Sequence, residues 1–238
     1  MNPVKTHPDT VLGRLAVAAR PPRPCLSIQA SNWWTRVLLA GGARRRILTG
    51  ADLSIAKLDG AYLRGAQMRR ATLPRASLRG ANLYGADLFH AYLNHSDLSG
   101  ADLSDAELSG ADLHDARLDG ANLRGARLLS ADLTGADLSE ASLVGAALLR
   151  ADLTGANLFH SNLYRADLSG ADLDGANLDG AVDLFSAELL NVVWSERTRW
   201  PDAAVVREGS VPIEGGRYRV QGSGNSGADL PAPRLPVS

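Results

Sequence analysis

The chain has 238 residues, of which 45% are hydrophobic, and its 25 basic and 26 acidic side chains leave a net charge of −1. No apolar run approaches the roughly 18 residues of a membrane-spanning helix, so the sequence predicts no membrane partner. Cys25 is the single cysteine, which excludes an intrachain disulfide and a cysteine-based metal site. The short segment VLGRLAVAA does not have the features of a secretory signal, and we expect a cytoplasmic protein.

The N-terminal region is predicted to contain a disordered leader and one short helix. Residues 1–30 carry five prolines and a basic excess, which favours disorder. In residues 31–45, the segment SNWWTRVLLA predicts a helix that Ser31 or Asn32 caps and that Gly41 ends. We expect its apolar side to cover the N-terminal end of the structure that follows. The alternative is a helix that docks a partner.

From Arg46 to Gly180 the chain repeats a five-residue unit 27 times. The central residue is Leu in 26 units and Met68 in one, and the residue two places earlier is Ala in 24 units. Gly ends 15 of the units, and the commonest forms follow the pattern A-[D/N]-L-x-G. A period this strict indicates one small structural step that is copied many times.

Neither an α-helix nor a flat strand can bury this pattern. A step of five residues rotates a helix by about 140°, so the leucines would spiral around every side. In a strand, a step of five residues moves successive leucines to opposite faces. A coil that turns a corner in every unit directs each Ala and each Leu inward, and four such units complete a square turn of 20 residues.

The array resembles the pentapeptide repeat family, whose members form right-handed quadrilateral β-helices. The resemblance implies an all-β solenoid, a right-handed quadrilateral parallel β-helix of about seven coils, with a short N-terminal capping helix. We assign residues 46–196 to the β-helix. The count is strict to residue 180, and the register slips by one residue at 181.

The units after Ala181 are VDLFS, AELLN and VVWSE, centred on Leu184, Leu189 and Trp194. The run WSERTRWP resembles the segment that closes the last coil in many family members, which implies that Trp194 and Trp200 are cap residues. We predict that residues 197–220 form a C-terminal cap with a candidate hairpin. Residues 221–238 are rich in Gly, Ser, Pro and Ala, and we expect them to be disordered.

The sequence contains no arrangement that predicts catalysis. His90 and His95 end adjacent units, but they occupy neighbouring corners of one coil, and no third metal ligand is suggested. The sequence also lacks phosphate loops, nucleophile elbows and zinc-binding spacings. We therefore predict a non-enzymatic protein with no catalytic residues, no cofactor and no metal.

Folding the sequence with a period of 20 residues places a column of acidic side chains on one face. The members of this acidic ladder stand directly before the central Leu, about 4.8 Å apart: Asp112, Asp132, Asp152 and Asp172. Hydrogen bonds within local turns are one explanation of these aspartates. Partner binding is a second interpretation, and a cation bound along the ladder is a third.

The charge of the array changes along its length. Residues 46–80 have a net charge of +5, from seven basic and two acidic side chains. Residues 81–182 have a net charge of −11, from five basic and sixteen acidic side chains. Four further aspartates are expected near the ladder: Asp87, Asp102, Asp137 and Asp167. The coils formed by residues 81–182 therefore offer a surface with a large excess of negative charge.

Family members that protect DNA gyrase are thought to act as DNA mimics, so the resemblance implies a comparable use of this acidic surface. We predict a protein-binding scaffold. The alternative is a DNA mimic that binds DNA gyrase or topoisomerase IV, both type II topoisomerases, and modulates quinolone or toxin sensitivity. Direct binding of nucleic acid is not expected.

Apolar residues occupy some outward positions, and we name the following four the apolar patch: Leu129, Val144, Leu149 and Tyr164. They stack in two columns on adjoining faces, and a contiguous exposed patch of this kind marks a contact surface. We expect the segment after Pro201, with Val205 and Val206, to fold back over it. A homodimer interface is the second interpretation.

Overall fold

The computed structural model of the protein describes residues 47–221. The predictions for residues 1–30 and 31–45 lie outside the described residues, as does the predicted disorder beyond residue 221. The described chain forms a β-helix of short parallel bridges, followed by a cap that contains one helix and a three-stranded sheet. No helix within residues 47–221 has both the length and the apolar character that crossing a membrane requires.

The residue before each central Leu pairs with the residue 20 positions further along the chain. Asp112 pairs in parallel with Asp132, and the same spacing holds from Ile47, which pairs with Gln67, as far as Val182. Four pentapeptides therefore complete each coil, as the sequence period predicts.

Each pentapeptide ends in a β-turn that the sequence encodes. The carbonyl of the central Leu accepts a hydrogen bond from the N–H of the next Ala, at 2.9 Å for Ala111 and Leu108. The last residue of every unit has a positive φ, which is the type II pattern, with 64° at Gly110 and 57° at His95. Gly adopts this conformation without steric cost, which explains its frequency at this position.

Backbone hydrogen bonds along the axis join successive coils. The N–H of Asp112 donates to the carbonyl of Ala91 in the preceding coil, at 2.9 Å. The N–H of Leu113 donates to the carbonyl of Asp132 in the following coil, at 2.7 Å. Because every unit bonds to both neighbours, an uncapped end of the stack would expose unpaired backbone groups.

The interior contains the central leucines and the alanines. From Ala61 to Leu178 these side chains are 0–1% exposed. Each buried Leu contributes about 2 kcal/mol, so the stability of the repeats is the sum of many similar contributions. Ser96 and Ser161 take Ala positions, and their buried hydroxyls have no hydrogen-bond partner among the described residues.

The register does change near the end of the repeats, but not at residue 181 as predicted. Val182 still pairs with Asn162, and the extra residue is taken up in a 3₁₀ turn, Leu184–Ser186. Three later pairs have longer spacings: one inserted residue gives 21 between Asp167 and Glu188 and between Asp172 and Val193, and a second gives 22 between Asn177 and Arg199. The sequence analysis did not predict the second of these insertions.

The C-terminal cap consists of strand β1 (Val193–Ser195), helix α1 (Ala203–Glu208), strand β2 (Ser210–Ile213) and strand β3 (Arg217–Val220). Strand β3 lies between β1 and β2 and is antiparallel to both. A 3₁₀ turn, Glu214–Gly216, joins β2 to β3, and Asp202 caps α1 by accepting a hydrogen bond from the N–H of Ala204 at 3.1 Å.

Trp194 lies at the centre of the cap and is 2% exposed. Its ring stacks on Tyr218, with centroids 4.6 Å apart, and meets Trp200 edge to face at 6.0 Å. Its Nε1–H donates to the hydroxyl of Ser210 at 3.0 Å. These aromatic side chains therefore close the last coil.

Candidate functional site

The acidic ladder lies on one face of the β-helix, in the order that the 20-residue period predicts. Consecutive members pair in parallel, from Asp112 through Asp132 and Asp152 to Asp172. Asp132 and Asp152 are exposed, whereas Asp112 and Asp172 are half-buried. The carboxylates therefore follow one another along the face at the strand spacing of about 4.8 Å.

Each ladder aspartate also stabilises its own turn. The Oδ1 atom of Asp132 accepts the N–H of Thr134, and that of Asp152 accepts the N–H of Thr154, both at 3.0 Å. Asp112 and Asp172 make the equivalent bonds. Local turn bonding is thus present at every member. Because such a bond does not neutralise the carboxylate, the negative charge remains on the face.

The C-terminal end of the ladder contacts the cap. Nη1 of Arg217, on β3, lies 3.1 Å from Oδ2 of Asp172. Within residues 47–221, no Arg, Lys or His side chain forms an ion pair with Asp112, Asp132 or Asp152. These three residues are therefore the part of the ladder whose charge is not compensated by the described chain.

Acidic side chains on other faces have closer partners. Nε of Arg69 lies 2.7 Å from Oδ2 of Asp87. At Asp97, partial burial opposes ionisation, but hydrogen bonds from Ser99 and the charges of Arg117 and a second arginine hold its pKa below the ordinary value. The other aspartates predicted near the ladder accept hydrogen bonds from serine N–H groups two residues on: Asp102, Asp137 and Asp167.

Two arginines in the basic part of the repeats, residues 47–80, contact aromatic rings of the coil that follows them. The guanidinium of Arg64 lies 4.0 Å from the ring centroid of Tyr84, and that of Arg69 lies 5.1 Å from the ring centroid of Phe89. Part of the basic charge therefore stabilises the stacking of coils through cation–π contacts.

Three residues of the apolar patch stay exposed and Val144 is half-buried, so residues 202–221 do not cover the patch as predicted. Leu129, Leu149 and Tyr164 are 40%, 36% and 39% exposed. Val205 and Val206 are instead buried in the cap, at 7% and 1% exposure. The physical reason is that Val205 and Val206 join the same apolar cluster as Trp194 and the core leucines, where their side chains are almost completely removed from water.

The histidines meet partners that the sequence analysis did not predict. Nδ1 of His90 makes a hydrogen bond to the carbonyl of Gly110 at 3.1 Å. His95 lies instead beside His114 and Asp115, and ligand atoms of the three residues fall within 4.8 Å of one another. The sequence analysis named no further ligand beside His90 and His95, whereas stacking places Asp115 directly after His95 in one column, with His114 next to it.

The protein-family model that describes pentapeptide repeats matches the sequence in 8 copies, over residues 47–85, 86–125, 116–155 and 151–182. Together these segments cover more than half of the chain. The chain belongs to the pentapeptide repeat family. No curated protein matches it.

Solved structures of other pentapeptide repeat proteins are similar to this one. A protein from the thylakoid lumen of Arabidopsis thaliana is 32% identical, over 45% of this chain and 71% of that chain, with a TM-score of 0.42. HetL from the cyanobacterium Nostoc sp. strain PCC 7120, involved in heterocyst differentiation regulation, is 36% identical over 62% and 84%, with a TM-score of 0.33. QnrB1, a plasmid-mediated fluoroquinolone resistance protein, is 19% identical over 66% and 86%, with a TM-score of 0.28.

Two site contacts in this pentapeptide repeat protein differ in how visible they are in the sequence. The proximity of His95 and Asp115 is encoded in their spacing of 20 residues, the same period that revealed the acidic ladder. The pairing of Arg217 with Asp172 has no such signal, because the two residues are 45 positions apart and Arg217 lies outside the repeats.

Proposed function

We propose that this pentapeptide repeat protein is a non-enzymatic scaffold that binds a protein partner through the acidic ladder. The observation that carries the proposal is the stacked run of Asp112, Asp132 and Asp152, which has no ion-pair partner within residues 47–221. Like charges about 4.8 Å apart in water repel by about 1 kcal/mol per pair. A basic surface on the partner would relieve this repulsion, so the ladder favours a cationic partner.

The distribution of side chains supports a scaffold rather than an enzyme. Leu and Ala fill the interior of the repeats at 0–1% exposure between Ala61 and Leu178, and the polar side chains other than Ser96 and Ser161 lie on the outer faces. On a surface of this kind, complementary charge sets the rate and specificity of association. The partner would therefore be selected by its charge pattern along the stack.

Site-specific crosslinking tests which face contacts the partner. In a Cys25→Ser background, a photoactivatable group is attached to Thr134→Cys, which follows Asp132, or to Ser142→Cys, half a coil away on the opposite face. We expect a crosslinked partner from position 134 and none from position 142. Equal crosslinking from both positions would overturn the assignment of the ladder face.

DNA mimicry is the second candidate function, and the charge density favours it. Residues 81–182 have a net charge of −11. At about 4.8 Å per coil, their five or so coils span about 24 Å, which gives one net negative charge per about 2.2 Å. Duplex DNA has one charge per about 1.7 Å. A DNA-binding channel, such as that of a type II topoisomerase, would therefore be exposed to an electrostatic field similar to that of duplex DNA.

A DNA gyrase supercoiling assay tests the mimic. The purified protein is titrated with and without a quinolone poison, beside the Asp132→Lys/Asp152→Lys variant. We expect the wild type to inhibit supercoiling or to rescue the enzyme from the poison at micromolar concentration, and the variant to do neither. No effect of the wild type over the full titration would refute this candidate and leave the scaffold proposal standing.

The exposed apolar patch supports a homodimer as a further part of the proposal. Leu129, Leu149 and Tyr164 lie close in the stack and keep more than a third of their surface exposed. Their burial against a second copy would remove apolar surface from water. Sedimentation should show a dimer that Leu129→Glu/Leu149→Glu converts to a monomer. A wild type that sediments as a monomer at every concentration contradicts this proposal.

A further inference from the structure

Two histidines and one aspartate meet at a corner of the β-helix beside the acidic ladder. His95 and Asp115 each end a pentapeptide, with φ of 57° and 52°, and they lie one coil apart in the same column. His114 precedes Asp115 in the same turn. We call these three residues the His/Asp cluster.

The distances within the His/Asp cluster suit metal coordination. Oδ2 of Asp115 lies 3.2 Å from Nε2 of His114 and 3.6 Å from Nδ1 of His95. The two imidazole rings are 5.6 Å apart, at an angle of 72°. Ligand atoms at about 2.0–2.1 Å from a tetrahedral zinc ion are separated by about 3.3 Å, so the carboxylate is already at coordination distance from both rings.

We propose that the His/Asp cluster binds one divalent transition-metal ion, of which zinc is the representative. Two imidazoles and one carboxylate are ligands that Zn²⁺, Co²⁺ and Ni²⁺ accept, whereas Mg²⁺ and Ca²⁺ prefer oxygen ligands alone. The side chains of His95, His114 and Asp115 are 42%, 44% and 47% exposed. A fourth coordination position therefore faces solvent, where water or a partner's side chain would complete the tetrahedron.

The backbone holds the ligands of the His/Asp cluster in place. The N–H of His95 donates to the carbonyl of His114 at 2.8 Å, and the N–H of Asp115 donates to that of Thr134 at 2.9 Å. A Cβ atom at Gly135 would lie 2.4 Å from Oδ1 of Asp115, so the glycine leaves room for the carboxylate. Ligands on fixed turns lose little freedom when an ion binds, and this favours affinity.

Hydrogen-bonded or ionic His–Asp pairs without a metal are the competing explanation of the same geometry. In that case Zn²⁺ would bind no better to the wild type than to a variant that lacks the three side chains. The two explanations therefore differ in the binding of an added ion, which is measured directly.

The test uses the full chain with two background substitutions, Cys25→Ser and His7→Asn. They remove a thiol and an imidazole of the N-terminal region that could bind zinc outside the His/Asp cluster. Zn²⁺ binding is measured by calorimetry, and Co²⁺ is added as a spectroscopic probe of nitrogen and oxygen coordination. The cluster variants are Asp115→Asn and His95→Asn. Their matched controls are Asp105→Asn and His160→Asn, which also end pentapeptides with positive φ and lie outside the cluster.

We expect one Zn²⁺ per chain and a visible Co²⁺ spectrum in the background protein and in both controls. Each cluster variant should bind Zn²⁺ at least about tenfold more weakly, since even a change to a supporting group of a metal site has that effect. Asn accepts positive φ readily, so circular dichroism should stay unchanged. Zn²⁺ affinity that is equal in cluster variants and controls, or no binding by the background protein, would overturn the proposal.

Discussion

The repeats and the C-terminal cap bury apolar side chains in opposite ways. In the repeats every coil presents the same Leu and Ala groups, and each of them packs against near-identical neighbours above and below. In the cap, residues that occur once, such as Trp194, Trp200 and Val206, cover the end of the last coil. A change in one coil therefore affects two neighbours, whereas a change in the cap opens the whole end of the stack.

The largest loss of stability should come from the cap. Trp194→Ala removes a 2%-exposed ring that contacts Tyr218 and Trp200, and large aromatic truncations cost about 3–5 kcal/mol. Denaturant unfolding followed by circular dichroism measures the change. Tyr164→Ala, an exposed aromatic on the side of the stack, is the control and should change stability by less than about 0.5 kcal/mol. Equal effects of the two changes on the free energy of unfolding would contradict the role of Trp194 in closing the last coil.

The second largest loss of stability should come from substitution of a core leucine of the repeats. Leu113→Ala leaves a cavity at a fully buried position and should cost about 2–5 kcal/mol. Leu129→Ala removes a 40%-exposed side chain 16 residues further along the chain and should cost far less. If both substitutions shift the unfolding midpoint by the same amount, the separation of inward and outward positions is wrong.

The repeats should become more stable when their two irregular core positions are regularised. The hydroxyls of Ser96 and Ser161 are buried without partners among the described residues, a state that costs about 1–3 kcal/mol. Ser96→Ala and Ser161→Ala should therefore each raise the free energy of unfolding by about 1 kcal/mol. Ala116→Ser, one coil from Ser96 in the same column, should lower it. Destabilisation by both alanine changes would show that the hydroxyls bind something.

The stability of the junction between the repeats and the cap should fall in acid. The Ser195 hydroxyl donates to Asp174, and together with Arg197 it holds the pKa of Asp174 below the ordinary value. A lowered native pKa means that Asp174 stabilises the fold above the unfolded pKa of about 3.9, and that this contribution is lost as the pH falls through the native pKa.

Asp174→Asn should therefore destabilise the protein at neutral pH, by about the 0.5–1.5 kcal/mol of one hydrogen bond. The difference from the wild type should shrink as the pH falls below about 4. Stability measured against pH for both proteins gives the comparison. A difference that stays constant from neutral to acidic pH would mean that ionisation of Asp174 has no part in joining the cap to the repeats.

The same contrast explains how much the sequence predicts. In the repeats one rule, a period of 20 residues, places every side chain, so the ladder from Asp112 to Asp172 follows directly from it. The same period also predicts the contact of His95 with Asp115. That contact is recognised only when the period of 20 residues is applied to the last position of each unit as well as to the position before the central Leu. The cap follows no repeat, and the burial of Val205 and Val206 at the end of the stack depends on packing that no local pattern specifies.

The most direct test of the ladder as a binding surface is partner retention on immobilised protein. Wild type, Asp132→Lys/Asp152→Lys and Asp167→Lys/Glu188→Lys are compared, because the last pair makes the same change of charge at two stacked positions on another face. Retained proteins are identified and quantified by mass spectrometry at physiological ionic strength. We predict a partner that the wild type and the Asp167→Lys/Glu188→Lys control retain and the ladder variant loses. The same retained proteins in equal amounts on the ladder variant would contradict the account.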